Sequence, residues 1–388
     1  MYASRLVPLI LIVASAACHR SDGGGGGLAI VDTLTGTVVE EWPAPPLTFD
    51  VAEDPVTGRV WAVAEHPEDD IARVWELTAD GSIPQYELHP GEGGPGGTGY
   101  LSYSKYRWLD SGAIALDSGR RRGTFGSSGS DERVILDLDT GERVNSISSY
   151  YWGWPIGATF DTASGIGFAS TISILYSFET SSGVLAGEYC PDHWVKAPTF
   201  NAFDRKVYFI SGESSISVLD PATGACGPPL YHLCNGYPVD CEITGPMISH
   251  DGTRLYVAAP SLDDPVVPWD GLPSFSIWDL TAPDLEAPSA QTEFTNGAAP
   301  HGFAISPDDS TLYVTMVRCR RIGVYDARTG EHFYDIPMHG ETMGIDLSAD
   351  GSRLYVTQVA RDGVLSPAYS DDILRERAGP CPPLKERE

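Results

Sequence analysis

Positive charge is scarce in this 388-residue chain: 25 Lys and Arg stand against 53 Asp and Glu, a formal net charge of -28. A surface of that sign repels phosphate backbones and anionic headgroups, which argues against nucleic acid as a partner. The apolar run from Leu6 to Ala17 is too short to span a bilayer comfortably. No C-x-x-C pair and no C-x-x-C-H occurs, so thioredoxin-like redox chemistry and covalent c-type haem are set aside. A G-x-S-x-G elbow and a phosphate-cradling P-loop are both missing, and helical periodicity is almost absent. What is abundant is turn chemistry. The chain carries 42 Gly and 30 Pro with 42% hydrophobic residues, a composition that suits many short strands joined by turns around a real core.

The N-terminus reads as an export signal, with Arg5 before the apolar run. The segment "SAAC", ending at Cys18, resembles the lipobox of bacterial lipoproteins. That resemblance implies that residues 1–17 are a signal peptide and that Cys18 is lipidated as the first mature residue. His19 after the cysteine, in place of a retention Asp, favours the outer membrane. Residues 18–27, with the run "SDGGGGG", form a flexible tether. Setting Cys18 aside leaves six of the seven cysteines, an even set that suggests disulfides in an exported protein. The short loop "CNGYPVDC" makes Cys234–Cys241 the pairing expected first.

"SHDGTRLYVAA" from Ser249 and "SADGSRLYVTQ" from Ser348 are nearly the same line, and "SPDDSTLYVTM" from Ser306 is a third copy. Weaker copies place Trp61, Ile114, Phe168 and Tyr208 in series with Tyr256, Tyr313 and Tyr355, at intervals of 40 to 57 residues. That spacing is typical of propeller blades. In each copy an acidic turn is followed by alternating aromatic and β-branched residues, the pattern of a half-buried strand. A second theme follows, as in "SISVLDPATG" (Ser215–Gly224) and "RIGVYDARTG" (Arg321–Gly330).

Together, S-x-D-G-x-x-L-Y-V-T and V-x-D-x-x-T-G resemble the YVTN family of β-propeller repeats. The resemblance implies an all-β fold: a seven-bladed propeller of four-stranded antiparallel blades over residues 28–359, as one domain. The chain starts with the second theme alone ("LAIVDTLTGTVVEEW", Leu28–Trp42) and its last repeat ends on the first theme alone. N- and C-terminal strands are therefore expected to share one blade and close the ring. Residues 360–388 fall outside the repeats as a C-terminal tail, either stapled through Cys381 or disordered.

The acidic hairpins superficially resemble the sialidase Asp-box, but turn geometry alone accounts for their aspartates. Richer cargo is expected on the links between second and third strands and between blades, which share one face. These are Tyr150, Tyr151, Trp152, Trp154, His193, Trp194, Lys196, Tyr237, Glu242, His301, His339, Glu341 and Thr342. Also expected there are His66, Arg120, Arg121, Arg122, Asp263, Asp264, Trp269 and Asp270. Aromatic faces with polar neighbours suit glycans, peptides and other extended ligands. The favoured expectation is a monomeric propeller acting as a binding platform for a protein or glycan, touching a membrane only through its lipid. No cofactor and no intrinsic catalysis are expected. The alternative is a propeller enzyme at the channel mouth, a lactonase-like hydrolase or a subunit of a quinone-dependent dehydrogenase. There His301 would be base or ligand and Lys196 an oxyanion stabiliser, with His301, His339 and Glu341 as a candidate set for a divalent metal.

Overall fold

In the strand Arg353–Val359 (RLYVTQV), successive side chains leave the sheet on opposite sides. Leu354 and Val356 join one apolar cluster and Tyr355 another. Such a strand buries both faces only when sheets stand on both sides of it. The repeated line is thus written for a ring of sheets.

The computed structural model has that ring. It describes residues 27–45, 48–65, 72–88, 113–126, 132–148, 155–171, 174–191, 195–211, 215–227, 231–232, 244–259, 274–282, 285, 287–294, 300–359 and 381–387. Seven antiparallel sheets are present. Taken from the channel outwards, blade I is Thr48–Glu53, Val60–Glu65, Ala72–Thr78 and Gly81–Leu88. Blade II is Ile114–Asp117, Arg122–Gly126, Glu132–Asp137 and Arg143–Ser148. Blade III is Pro155–Asp161, Ile166–Thr171, Leu175–Glu179 and Leu185–Tyr189. Blade IV is Val195–Asn201, Lys206–Ser211 and Ser215–Asp220, edged by the fragments Ala225–Cys226 and Tyr231–His232. Blade V is Thr244–Ile248, Arg254–Ala259, Ser274–Asp279 and Ala290–Glu293. Blade VI is Pro300–Ile305, Thr311–Met316, Arg321–Asp326 and His332–Pro337.

Blade VII is the expected composite. Glu341–Leu347 and Arg353–Val359 pair with Gly27–Asp32, which pairs with Thr37–Pro43. The inner strands contact one another in order, and the last returns to the first. Among the described residues the one helical element is the 3-10 turn Val317–Cys319.

The core is split into seven apolar clusters, one at each blade–blade interface. The second-strand aromatics Trp61, Phe168, Tyr208, Tyr256, Tyr313 and Tyr355 all point at the following blade and join its cluster. Trp61, for example, meets Phe125 of blade II with ring centroids 5.5 Å apart.

Blade II departs from this rule and corrects the repeat alignment. Ile114 lies on the inner strand and pairs with Phe125. The register equivalent of Trp61 is Thr124, fully buried, whose hydroxyl accepts the Arg133 Nε–H at 3.2 Å. A buried Thr–Arg pair replaces the aromatic, which is why this repeat is faint in the sequence.

Three inner-strand glycines set how closely the ring packs. An added Cβ would come within 2.7 Å of Ala197 Cα at Gly157, 2.9 Å of the Met343 carbonyl oxygen at Gly302, and 2.8 Å of Asp50 Cα at Gly344. In each case the obstacle belongs to the next blade's inner strand. Gly344→Ala should therefore cost about 1–3 kcal/mol in urea unfolding. Gly27→Ala, where the nearest atom is 3.9 Å away, should stay within about 0.5 kcal/mol of the parent. Equal effects at the two positions would contradict the close-packed inner ring.

Candidate functional site

The acidic turns are built by their own aspartates. At the Ser348 turn, Asp350 accepts the Ser352 N–H at 2.9 Å and the Ser348 and Ser352 hydroxyls at 2.7 Å each. Those bonds, led by the Ser352 N–H, hold its carboxyl down at about 2. Asp251 and Asp308 repeat the arrangement. At the D-x-x-T-G turns the carboxylates of Asp32 and Asp326 accept the N–H three residues on, and Gly36 and Gly330 sit at φ of 67° and 70°. These carboxylates serve the backbone.

Adjacent inner hairpins are also tied to one another. Arg121 Nη1 donates to Asp54 at 2.8 Å between blades II and I, and Arg120 donates to the Thr162 carbonyl of blade III. Arg205 pairs with Asp161 at 2.5 Å, and Asn201 donates to the Gly252 carbonyl at 2.9 Å. The His250 and Asp251 N–H groups donate to Asp309 at 2.8 and 2.9 Å. Pro307 packs on Gly351, and the Ala349 N–H donates to Glu53 at 3.1 Å, closing the circle.

This circle corrects the reading of "GRRRG". Arg120, Arg121 and Arg122 lie at the first-to-second-strand hairpin of blade II, on the face opposite the expected ligand face. All three are engaged, Arg122 with Asp137 at 2.5 Å. Burial opposes the charge on Asp54, but hydrogen bonds led by Arg121 and Thr57 outweigh it and bring the carboxyl to about 2.

The other face carries longer links, among them 89–113, 233–243 and 260–273, where the inner hairpins span four to six residues. Tyr150, Tyr151, Trp152, Trp154, His193, Trp194, Tyr237 and Glu242 lie outside the described residues, as do His66, Asp263, Asp264, Trp269 and Asp270. The same is true of Cys18 and of Cys234 and Cys241. The bridges that are described are Cys190–Cys226, which joins the rims of blades III and IV, and Cys319–Cys381.

Lys196 and His301 are inner-strand residues at the same register position in blades IV and VI, the lysine half-buried and the histidine 2% exposed. His339, by contrast, is 79% exposed, and its Nδ1 lies 2.9 Å from Glu41 on the outer strand of blade VII. Inner and outer strands of a blade stand about 14 Å apart, three strand spacings. Glu341 begins the inner strand of blade VII, and the Thr342 hydroxyl beside it donates to the Arg321 carbonyl at 3.3 Å. His301, His339 and Glu341 do not gather: among the described residues no group of three His, Cys, Asp or Glu side chains is placed to hold a metal ion.

The channel wall holds two groups that the sequence did not advertise. Register aligns Asp346 of blade VII with Ala52, Ala115, Thr159, Thr199, Met247 and Ala304, one residue per blade. Asp346 is the one carboxylate at this level and accepts the Glu53 N–H of blade I at 2.6 Å. Thr159 does the same for the Phe200 N–H at 3.0 Å, so the position bonds the next blade whatever its charge. Two residues along, Asp50 stands where blades III, VI and VII have glycine, and accepts the Val51 and Ile114 N–H groups at 3.0 Å each. Protein surrounds both side chains, while both residues keep part of their surface exposed. Burial, reinforced for Asp50 by Asp346 and for Asp346 by Glu53, lifts each carboxyl to about 7. Aligning the inner strands by register is the signal that would have found them.

With this geometry in view, comparisons with known proteins establish the fold alone. No family model matches the chain, and no curated protein matches it. Among solved structures, it resembles the β-propeller domain of Cps50 (Swd1) from Myceliophteria thermophila at 12% identity and a TM-score of 0.54, covering 82% of this chain and 98% of that one. It also resembles Kuenenia stuttgartiensis hydrazine synthase at 13% identity and a TM-score of 0.57, covering 82% and 97%.

Two outcomes test these electrostatics. Asp346 has a folded-state pKa of about 7 against 3.8, so the folded state holds the proton more tightly and loses stability as pH rises between those values. Asp346→Asn, which keeps the oxygen that accepts the Glu53 N–H, should raise stability at pH 8 by about 1–3 kcal/mol and change little at pH 4. A variant less stable than the parent at pH 8 would contradict this. Asp54 runs the other way: its contribution is present above about pH 4 and lost as pH falls through about 2. Arg121→Ala should cost about 2–4 kcal/mol at pH 7, a deficit that narrows in chemical denaturation towards pH 2.

Proposed function

We propose that the chain is an exported, lipid-anchored propeller of the YVTN repeat type whose link-bearing face is a binding platform for a protein or glycan. The observation that carries this reading is the asymmetry of the two faces. One face consists of short turns whose aspartates and arginines are committed to the backbone and to each other. The other receives the long links, with Tyr150, Tyr151, Trp152, Trp154, Trp194, Tyr237 and Trp269 in their sequence. A rigid ring that presents variable loops on one side suits recognition.

Export is supported by "SAAC" at Cys18 and by two disulfides, which persist in oxidising compartments. Lipid attachment at Cys18 and an outer-membrane address belong to the same proposal. The Asp50 and Asp346 carboxylates favour one second reading. A carboxyl that titrates near neutrality suits general acid–base work, which fits a hydrolase-like site in the channel.

Oligosaccharide and peptide arrays probed with the tether-cleaved domain distinguish the faces. Binding should fall at least about tenfold in a Trp152→Ala, Trp154→Ala, Trp194→Ala variant. It should be unchanged in Phe203→Ala, a residue 70% exposed on the hairpin face. Binding that survives the triple change and falls with Phe203→Ala would overturn the assignment of the face.

A further inference from the structure

The outer strand of blade VI does not present a bare edge. Residues 381–387 lie along it, beginning at the Cys319–Cys381 bridge. The buried Arg321 guanidinium donates to the Pro382 carbonyl at 3.0 Å and pairs with Asp335 at 3.1 Å. The Asp335 N–H donates to the Lys385 carbonyl, and the Lys385 N–H returns to the Asp335 carboxylate, both at 2.8 Å. Lys385 Nζ donates to the His332 carbonyl. Arg387 lies 5.0 Å over the Tyr334 ring and donates to the Leu34 carbonyl of blade VII.

This seven-residue strap buries almost nothing. Pro382 is half-buried and the other six residues are exposed. Ordering an exposed segment costs backbone entropy that solvent-competed hydrogen bonds scarcely repay. The covalent bond, which closes a separation of 62 residues, keeps the strap's local concentration high. The two described bridges also differ in access. Cys190 is 3% exposed inside the blade III–IV cluster, whereas Cys381 is exposed.

We propose that Cys319–Cys381 is the clasp of a reduction-operated strap that controls access to the outer edge of blade VI. A dithiol reductant would open it by thiolate attack on one Sγ, giving a mixed disulfide that its second thiol resolves. Two electrons and two protons pass to the protein, leaving Cys319 and Cys381 as thiols and the reductant as a disulfide. The strap then leaves, and the Asp335 N–H becomes an unpaired edge donor to which an extended chain can add.

Hydrogen exchange on the full chain tests this with a Cys381→Ser variant. Protection of the Asp335 amide should fall about a hundredfold, within the range by which tethering raises effective concentration. The Leu312 and Val314 amides, inside the same blade, should stay as in the parent. Unchanged protection at Asp335 would overturn the proposal. Loss of protection at all three amides would also overturn it, by making the bridge a staple of the whole blade. A dithiol titration of the parent supplies a second arm, read by alkylation and mass spectrometry. It should open Cys319–Cys381 before Cys190–Cys226, and the reverse order would contradict the clasp.

Discussion

The structure depends on one contact made in every repeat but one: an aromatic ring on the second strand of a blade, buried against the next blade. No blade buries its own apolar faces, so none is a stable unit by itself, and the arrangement is satisfied only when the last blade finds the first. Tyr355 makes that final contact, joining Leu28 and Ile30 with Val51, Val60 and Ala62 of blade I. Pairing of Gly27–Asp32 with Arg353–Val359 holds Tyr355 in place to do so. Blade II reaches the same end with Thr124 and Arg133, a costlier polar pair held by hydrogen bonds from the Arg133 guanidinium to the Thr124 hydroxyl and the Ala113 carbonyl.

Closure also divides the labour between the faces. Short inner hairpins come together on one side, and their charges are consumed in a circle of inter-blade bonds. Part of the acidic composition is explained on this face, since Asp251, Asp308 and Asp350 in the inner hairpins and Asp32 and Asp326 in the outer turns each accept local N–H groups. The opposite face has no such constraint on link length, and the sequence of its links is rich in aromatic residues. Among the described inner-strand residues, Asp50 and Asp346 stand at the seam between blades I and VII, away from Lys196 of blade IV.

Blade number, strand order and the composite blade were legible in the sequence because they rest on repetition and on the half-motifs at the two ends of the repeats. Local chemistry was less so. Ile114 was aligned as a second-strand marker because blade II carries Thr124 where the other blades have the aromatic, and the same slip carried Arg120–Arg122 to the wrong face. His301 and His339 come from the links leading into adjacent blades, but one is on an inner strand and the other is drawn to the rim by Glu41. Asp346 sits in "GIDLSADG" among turn aspartates of identical type, and only register separates a channel carboxylate from a turn builder. The strap was half visible: Cys381 suggested a staple, but Arg321 and Asp335, which receive it, read as ordinary strand residues.

The central claim is that the ring is one cooperative unit closed by the N-terminal strand. Native-state hydrogen exchange across blades tests it most directly. The account predicts that Leu28, Ile30 and Val31 in the closing strand exchange only with global unfolding, at the same free energy as Val207 and Phe209 on the far side of the ring. Faster exchange of the closing strand, with Val207 and Phe209 still protected, would show that the seam opens by itself and that the other blades stand without it.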